Sequence, residues 1–136
     1  MPIEFPLAQK RSPFGLISDP KISITIDTLD GPRTYRFLVD TGADFSLAPR
    51  RLAEEVGLAW DRMFEAHVVG VEQGGLRARL GPLPIKLETV DMTVRCLFVD
   101  SPAGPFILGR ADFLDRFVLT IDSRRRRIIL DENSET

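Results

Sequence analysis

One cysteine, Cys96, and one histidine, His67, are all that the 136 residues contain of these two types, and each scarcity closes a class of chemistry. A lone thiol cannot form an intrachain disulfide. Cys96 also sits within the apolar run Val94 to Val99, where a thiol behaves as a small buried hydrophobe. A lone imidazole without cysteines or clustered carboxylates at ligand spacing does not make a metal centre, so neither metal nor cofactor is expected. No apolar stretch approaches the ~20 residues of a membrane-spanning helix, and Met1-Pro2-Ile3-Glu4-Phe5-Pro6 lacks the basic-then-apolar order of a signal peptide. The expectation is a cytoplasmic protein with no membrane partner. Positive charge is not in excess either: the formal net charge is -2, which argues against nucleic acid as a partner. The run Arg124 to Arg127 reads accordingly as a solvated turn or a contact to the acidic tail. Ser123 has no nucleophile-elbow context, no glycine loop suits a phosphate, and no internal repeat stands out.

What is present is a chain of single-domain length, with 43% hydrophobic residues to fill a core. Residues 1–21 are rich in proline and mixed charge and read as an extended arm, anchored by Phe5, Leu7, Phe14, Leu16 and Ile17. Ile22, Ile24 and Ile26 then alternate with Ser23, Thr25 and Asp27, the period-two pattern of a half-buried strand. Asp30-Gly31-Pro32 turns the chain, and a return strand carries Tyr35, Phe37 and Val39 on one face. A short helix is expected from Pro49 to about Val56, stopped by Gly57. Strands follow at Phe64 to Val71 and Leu76 to Leu80, joined by a glycine-rich tip, and at Ile85 to Val90 and Met92 to Val99. Ala111 to Arg116 reads as a second short helix. Val118 to Ile121 and Ile128 to Leu130 form a last hairpin, and 131–136 is a polar tail. Many short strands with few helices describe an all-β closed sheet or barrel over residues 22–130.

The return strand ends in Phe37-Leu38-Val39 and delivers Asp40-Thr41-Gly42. An apolar strand that places a carboxylate on a tight loop leaves that acid half-buried, and a Cβ at Gly42 would crowd the site where partner and substrate approach. Amide hydrolysis by carboxylates alone needs two of them sharing a proton, so that one draws a proton from water while the other supplies one to the scissile carbonyl. No second Asp-Thr-Gly exists: the other Asp-Thr and Asp-Ser pairs continue as Asp27-Thr28-Leu29, Asp100-Ser101-Pro102 and Asp122-Ser123-Arg124. The simplest completion is a homodimer with Asp40 and its twin on the two-fold axis. The plain alternative for Asp40 is a turn cap, a common place for Asp before Gly.

Three segments in order turn the balance. Leu38-Val39-Asp40-Thr41-Gly42-Ala43-Asp44, Val68-Val69-Gly70-Val71-Glu72-Gln73-Gly74-Gly75 and Ile107-Leu108-Gly109-Arg110 resemble the active loop, flap and pre-helix element of retropepsin-like, single-lobed aspartic proteases. The resemblance implies a closed, barrel-like acid-protease fold with a flap hairpin, a homodimer, and a peptide or protein substrate. It implies Asp40 as the catalytic carboxylate of each subunit, with Thr41 bonding across the axis and Ala43, Asp44 and Phe45 lining the cleft. It further implies Val69, Gly70 and Val71 as flap contacts, Phe106 and Ile107 as apolar subsite residues, and Gly109 as the point of close backbone packing beneath the loop. Asp44 and Arg110 are expected to pair and tie the loop to the C-terminal helix; the alternative is two unrelated surface charges. A second functional reading keeps the fold without the chemistry, as a catalytically silent peptide-binding or scaffold dimer. The departure at Glu72-Gln73 from a more apolar flap tip leaves room for it.

Overall fold

The computed structural model of the chain describes residues 2–68 and 76–134. Strand β1 (Ile3–Pro6) lays Ile3 into the core, and Leu7 follows it there. The chain then folds back on itself as a hairpin of β2 (Ala8–Ser12) and β3 (Gly15–Asp19), turned at Gly15 with φ of 114°. Three of the expected anchors are not anchors: Phe14 is 99% exposed, and Leu16 and Ile17 are exposed too. The reason is topological. β2 and β3 pair only with each other, and only at the root, where Asp19 is buried, does the hairpin meet the rest of the described chain closely.

β4 (Lys21–Thr28) buries Ile22, Ile24 and Ile26, and β5 (Gly31–Val39) returns antiparallel with Phe37 and Val39 on the same core. β6 (Ser46–Pro49) leads into helix α1 (Arg50–Glu55), which ends where Gly57 adopts a φ of 84° and donates its N–H to Glu54. β7 (Phe64–Val68), β8 (Leu76–Leu87), β9 (Val90–Val99) and β10 (Ile107–Leu108) complete a sheet in the order β4-β5-β10-β6-β9-β8-β7. A contact between Thr25 and Lys86 joins β4 back to β8 and closes six strands into a barrel, with β7 attached outside. Lys86 Nζ lies 3.1 Å from Asp27 at that seam. β11 (Phe117–Asp122) and β12 (Arg127–Glu132) form the last hairpin, and β12 pairs with β1 to make a separate three-stranded sheet.

Two expectations from sequence are corrected. Leu76 to Leu80 and Ile85 to Val90 are not separate strands but parts of the single β8, with a Leu87-to-Val90 turn after it. Pro82 and Pro84 look like breakers, yet both pair with β9. They occupy the stretch after β7 ends at Leu80 and before β4 arrives at Lys86, where a missing N–H has no second neighbour to disappoint. The helix expected over Ala111 to Arg116 is only a 3₁₀ turn, Leu114–Arg116. Asp112 takes a φ of 67°, which no right-handed helix can include.

One continuous core results, in which Ile22, Ile24, Ile26, Phe37, Leu83, Ile85, Phe98 and Leu108 meet the inner face of the β1-β12-β11 sheet through Ile3, Ile128 and Leu130. Cys96 is completely buried within it, and desolvation pushes its thiol pKa far up. The native protein is therefore expected to resist thiol alkylation at pH 8, with labelling appearing only along the unfolding transition. Labelling by iodoacetamide followed by mass measurement checks this, and fast modification of the native state would contradict the burial.

Candidate active site

The loop that carries Asp40 is held by backbone on both sides. Val39 donates its N–H to the carbonyl of Pro20, the residue between β3 and β4 (2.9 Å), and Asp40 donates its own to Leu108 of β10 (3.0 Å). β10 runs parallel to β5, pairing Ile107 with Leu38 and Leu108 with Val39, so the strand end is flanked until the chain turns. Ala43 N–H then closes on the Asp40 carbonyl at 3.2 Å, and Gly42 N–H donates to Asp40 Oδ1 at 2.9 Å. The carboxylate is half-buried, while Thr41 and Gly42 are exposed beside it. Gly42 does not use the positive φ that glycine permits. What a side chain there would meet is Asp40 Oδ1, 3.3 Å from its Cβ.

Beneath the loop the constraint is tighter. A Cβ on Gly109 would lie 2.5 Å from the Phe45 carbonyl oxygen and 2.8 Å from that of Ala43, both backbone atoms. The gap is filled by hydrogen bonds instead: Arg110 N–H donates to Ala43 O and Ala111 N–H to Asp44 O, each at 2.9 Å. The fully buried Ser46 hydroxyl accepts the Gly109 N–H at 3.2 Å. Arg110 adds its side chain, donating from Nη1 to the Thr41 carbonyl at 2.7 Å and from Nη2 to the Asp44 carboxylate. The expected ion pair thus forms, but it ties the loop to the end of β10 and the turn after it, since no helix begins there.

Behind this lies a brace with no sequence signal of its own. Asp112 accepts the Arg95 backbone N–H at 2.9 Å and its guanidinium at 2.8 and 3.2 Å, while the same guanidinium stands 5.4 Å from the Phe45 ring centre. Ser46, Arg95 and Asp112 are the site's unforeseen members. Their polar character is common, and only the fold reveals what they face. Hydrogen bonding from Arg95 holds the Asp112 carboxyl below its ordinary value, against the opposing pull of desolvation.

The remaining expected residues divide. Ala43 and Phe45 are half-buried at the loop, and Ile107 is half-buried between Leu38 and Leu47. Phe106 stacks on Tyr35 at 5.6 Å and meets Phe37 edge-on at 5.3 Å, an aromatic cluster beside the core. Val69, Gly70 and Val71, with the rest of the expected flap tip, lie outside the described residues. His67 is exposed on β7, and among the described residues no group of three or more His, Cys, Asp or Glu side chains could hold a metal ion.

Comparison with known proteins places this geometry. The sequence pattern of a family described as aspartyl protease matches residues 23–111. A comparison with curated proteins finds no match. Among solved structures, the chain is similar to a retropepsin-like aspartic protease from Rickettsia conorii, with a TM-score of 0.64 at 19% identity over 96% of this chain and 91% of that one. It is similar to the retroviral protease-like domain of Ddi1 from Leishmania major, with a TM-score of 0.60 at 21% identity over 88% and 98%. EIAV protease, solved with the inhibitor HBY-793, shares 27% identity over 68% of this chain and 82% of its own, with a TM-score of 0.51.

Gly109→Ala is expected to cost about 3 kcal/mol or more in denaturant unfolding, because the clash is with backbone and no rotamer relieves it. A loss under about 0.5 kcal/mol would mean the two segments can part freely. For Asp112 the sign follows from its lowered pKa. Its stabilisation is complete above the ordinary carboxyl value near ~4 and is lost as the pH falls through the lowered one. Asp112→Asn should therefore flatten the loss of stability as the pH falls below about 4, read from urea midpoints over a pH series.

Proposed function

This chain belongs to the aspartyl protease family, with a retropepsin-like fold, and from that premise we propose that it is an aspartic endopeptidase whose active site is completed by a second copy of itself. The observation that carries the reading is the state of the two loop carboxylates. Asp40 is half-buried and, among the described residues, its carboxylate accepts a hydrogen bond from the Gly42 N–H alone, whereas Asp44 is engaged by Arg110. The loop therefore offers one free acid where the chemistry needs two, and the chain has no second Asp-Thr-Gly.

In the homodimer, the two Asp40 side chains would face each other across the two-fold axis and share one proton, since like charges so close cannot both ionise. The ionised partner takes a proton from a water lying between them as that water attacks the scissile carbonyl. The neutral partner protonates the carbonyl oxygen. The resulting tetrahedral species then expels the amine, with the proton returned to nitrogen, and no covalent link to the protein forms. The β7–β8 hairpin supplies an edge along which an extended peptide could add as a strand. Ile107 and Phe45 lie beside the loop and favour apolar side chains next to the cut.

The test is cleavage of a diverse peptide mixture from about pH 4 to 7 by wild type and Asp40→Asn. Wild type should yield products that a statine-type transition-state mimic blocks, and the variant should lose at least about 10³-fold in rate. Dimeric wild type that cuts nothing across this range would instead favour the silent binding module.

A further inference from the structure

We propose that the outward face of the β7–β8 hairpin carries an oxyanion site, a place for a carboxylate or phosphate group at Arg77 and His67. The register decides which side chains meet there. Glu65 stands opposite Arg79 and His67 opposite Arg77 in the antiparallel ladder, and residues directly opposite share a face of the sheet. Ala78, between the two arginines, is buried, so Arg77 and Arg79 point away from the core. A cavity of about 150 Å³ opens there, lined by Trp60, Glu65, His67, Arg77, Arg79 and Asp100.

The walls of the cavity are cross-linked. Arg79 donates from Nη1 to the Trp60 carbonyl at 2.7 Å and from Nη2 to Glu65 at 3.0 Å, with its guanidinium 5.2 Å from the Trp60 ring centre. Arg50 of α1 covers the same ring at 4.5 Å and reaches Asp100 at 3.4 Å. Asp100 in turn donates its N–H to the Arg77 carbonyl at 2.9 Å. The single tryptophan of the chain is thus held by two arginines, where α1, the hairpin and the end of β9 meet.

What is left free defines the ligand. Both carboxylates of the cavity are engaged, Glu65 by Arg79 and Asp100 by Arg50. Neither Arg77 nor His67 has an acidic partner among the described residues. The lining arginines and acids balance in number, so it is the pairing and not the sum that leaves Arg77 open. Its planar fork suits an oxyanion, and the imidazole opposite adds a ring N–H. A group bound by both would hold β7 to β8 one step from their last pair, Val68 with Leu76, and stiffen the hairpin. The binding does not rest on the protease reading, whereas any effect on cleavage does.

Trp60 lines the cavity and is the only tryptophan, so its fluorescence reports occupancy directly. Inorganic phosphate and a tetraglutamate peptide are each titrated into the millimolar range at constant ionic strength. At least one should give a saturating change, and the tighter of the two names the source of the group. Arg77→Gln should raise the dissociation constant at least about tenfold, the worth of a charge-assisted hydrogen bond, and leave the melt unchanged because the side chain is exposed. Arg77→Lys should restore part of the affinity. Arg124→Gln, which removes an exposed arginine on the β11–β12 turn, should leave the affinity as it is. No saturation by either probe, or saturation that survives Arg77→Gln, would overturn the site. An equal response to sodium chloride would do the same, since it would reflect general screening. These readings are independent of cleavage, so a chain that cuts no peptide would not count against the site, nor a missing site against the enzyme.

Discussion

Backbone contact without an intervening side chain, at Gly109, is what the site depends on. The carbonyls of Ala43 and Phe45 approach so closely that the two-residue strand β10 can slot between β5 and β6, parallel to one and antiparallel to the other. From that slot Leu108 accepts the Asp40 N–H, Arg110 and Ala111 donate to the loop carbonyls, and the Arg110 guanidinium reaches Thr41 and Asp44. A single missing Cβ thus permits the packing, and a set of main-chain hydrogen bonds makes it rigid. That rigidity fixes where the Asp40 carboxylate stands.

The charges around the loop act mainly through direction. Asp44 and Arg110 are both substantially exposed, and such pairs contribute ~0.2–1 kcal/mol at most. The value of Arg110 lies in its planar fork, which binds a carboxylate and a carbonyl of the same loop at once. Arg95 works similarly one layer behind, spanning Asp112 and the face of Phe45. In both cases an arginine ties two stretches of chain that are remote in sequence, and removing Asp44 from play leaves Asp40 as the loop's free acid.

Around this centre the barrel is ordinary physics, and the periphery is where the chain is individual. Alternating isoleucines of β4, the Phe37 and Val39 face of β5 and the inner residues of β8 and β9 build one core. The three-stranded sheet of β1, β12 and β11 shares that core through Ile3, Ile128 and Leu130. The β2–β3 hairpin stays outside it, carrying Phe14, Leu16 and Ile17 into solvent from a root next to the active loop. Leu29, Phe64, Val118 and Ile121 are likewise exposed, on other strands and turns.

Local pattern was enough to read the strands of β4, β5, β9, β11 and β12, the stop of α1 at Gly57, the burial of Cys96 and the position of Asp40 at a strand end, because each follows from side-chain period or from one residue's backbone preference. The pairing of Asp44 with Arg110 was legible only through resemblance to a family, since the two are 66 residues apart. Other features were decided by the tertiary structure. Pro82 and Pro84 continue a strand because of which neighbour is missing beside them, and Asp112 breaks a helix because Arg95 holds it elsewhere. Phe14, Leu16 and Ile17 are exposed in a hairpin that pairs with no other described strand, and Ser46 is a buried acceptor because Gly109 comes to it. Periodicity and propensity are properties of neighbouring residues, whereas these outcomes depend on contacts across the sheet, which closing the barrel alone creates.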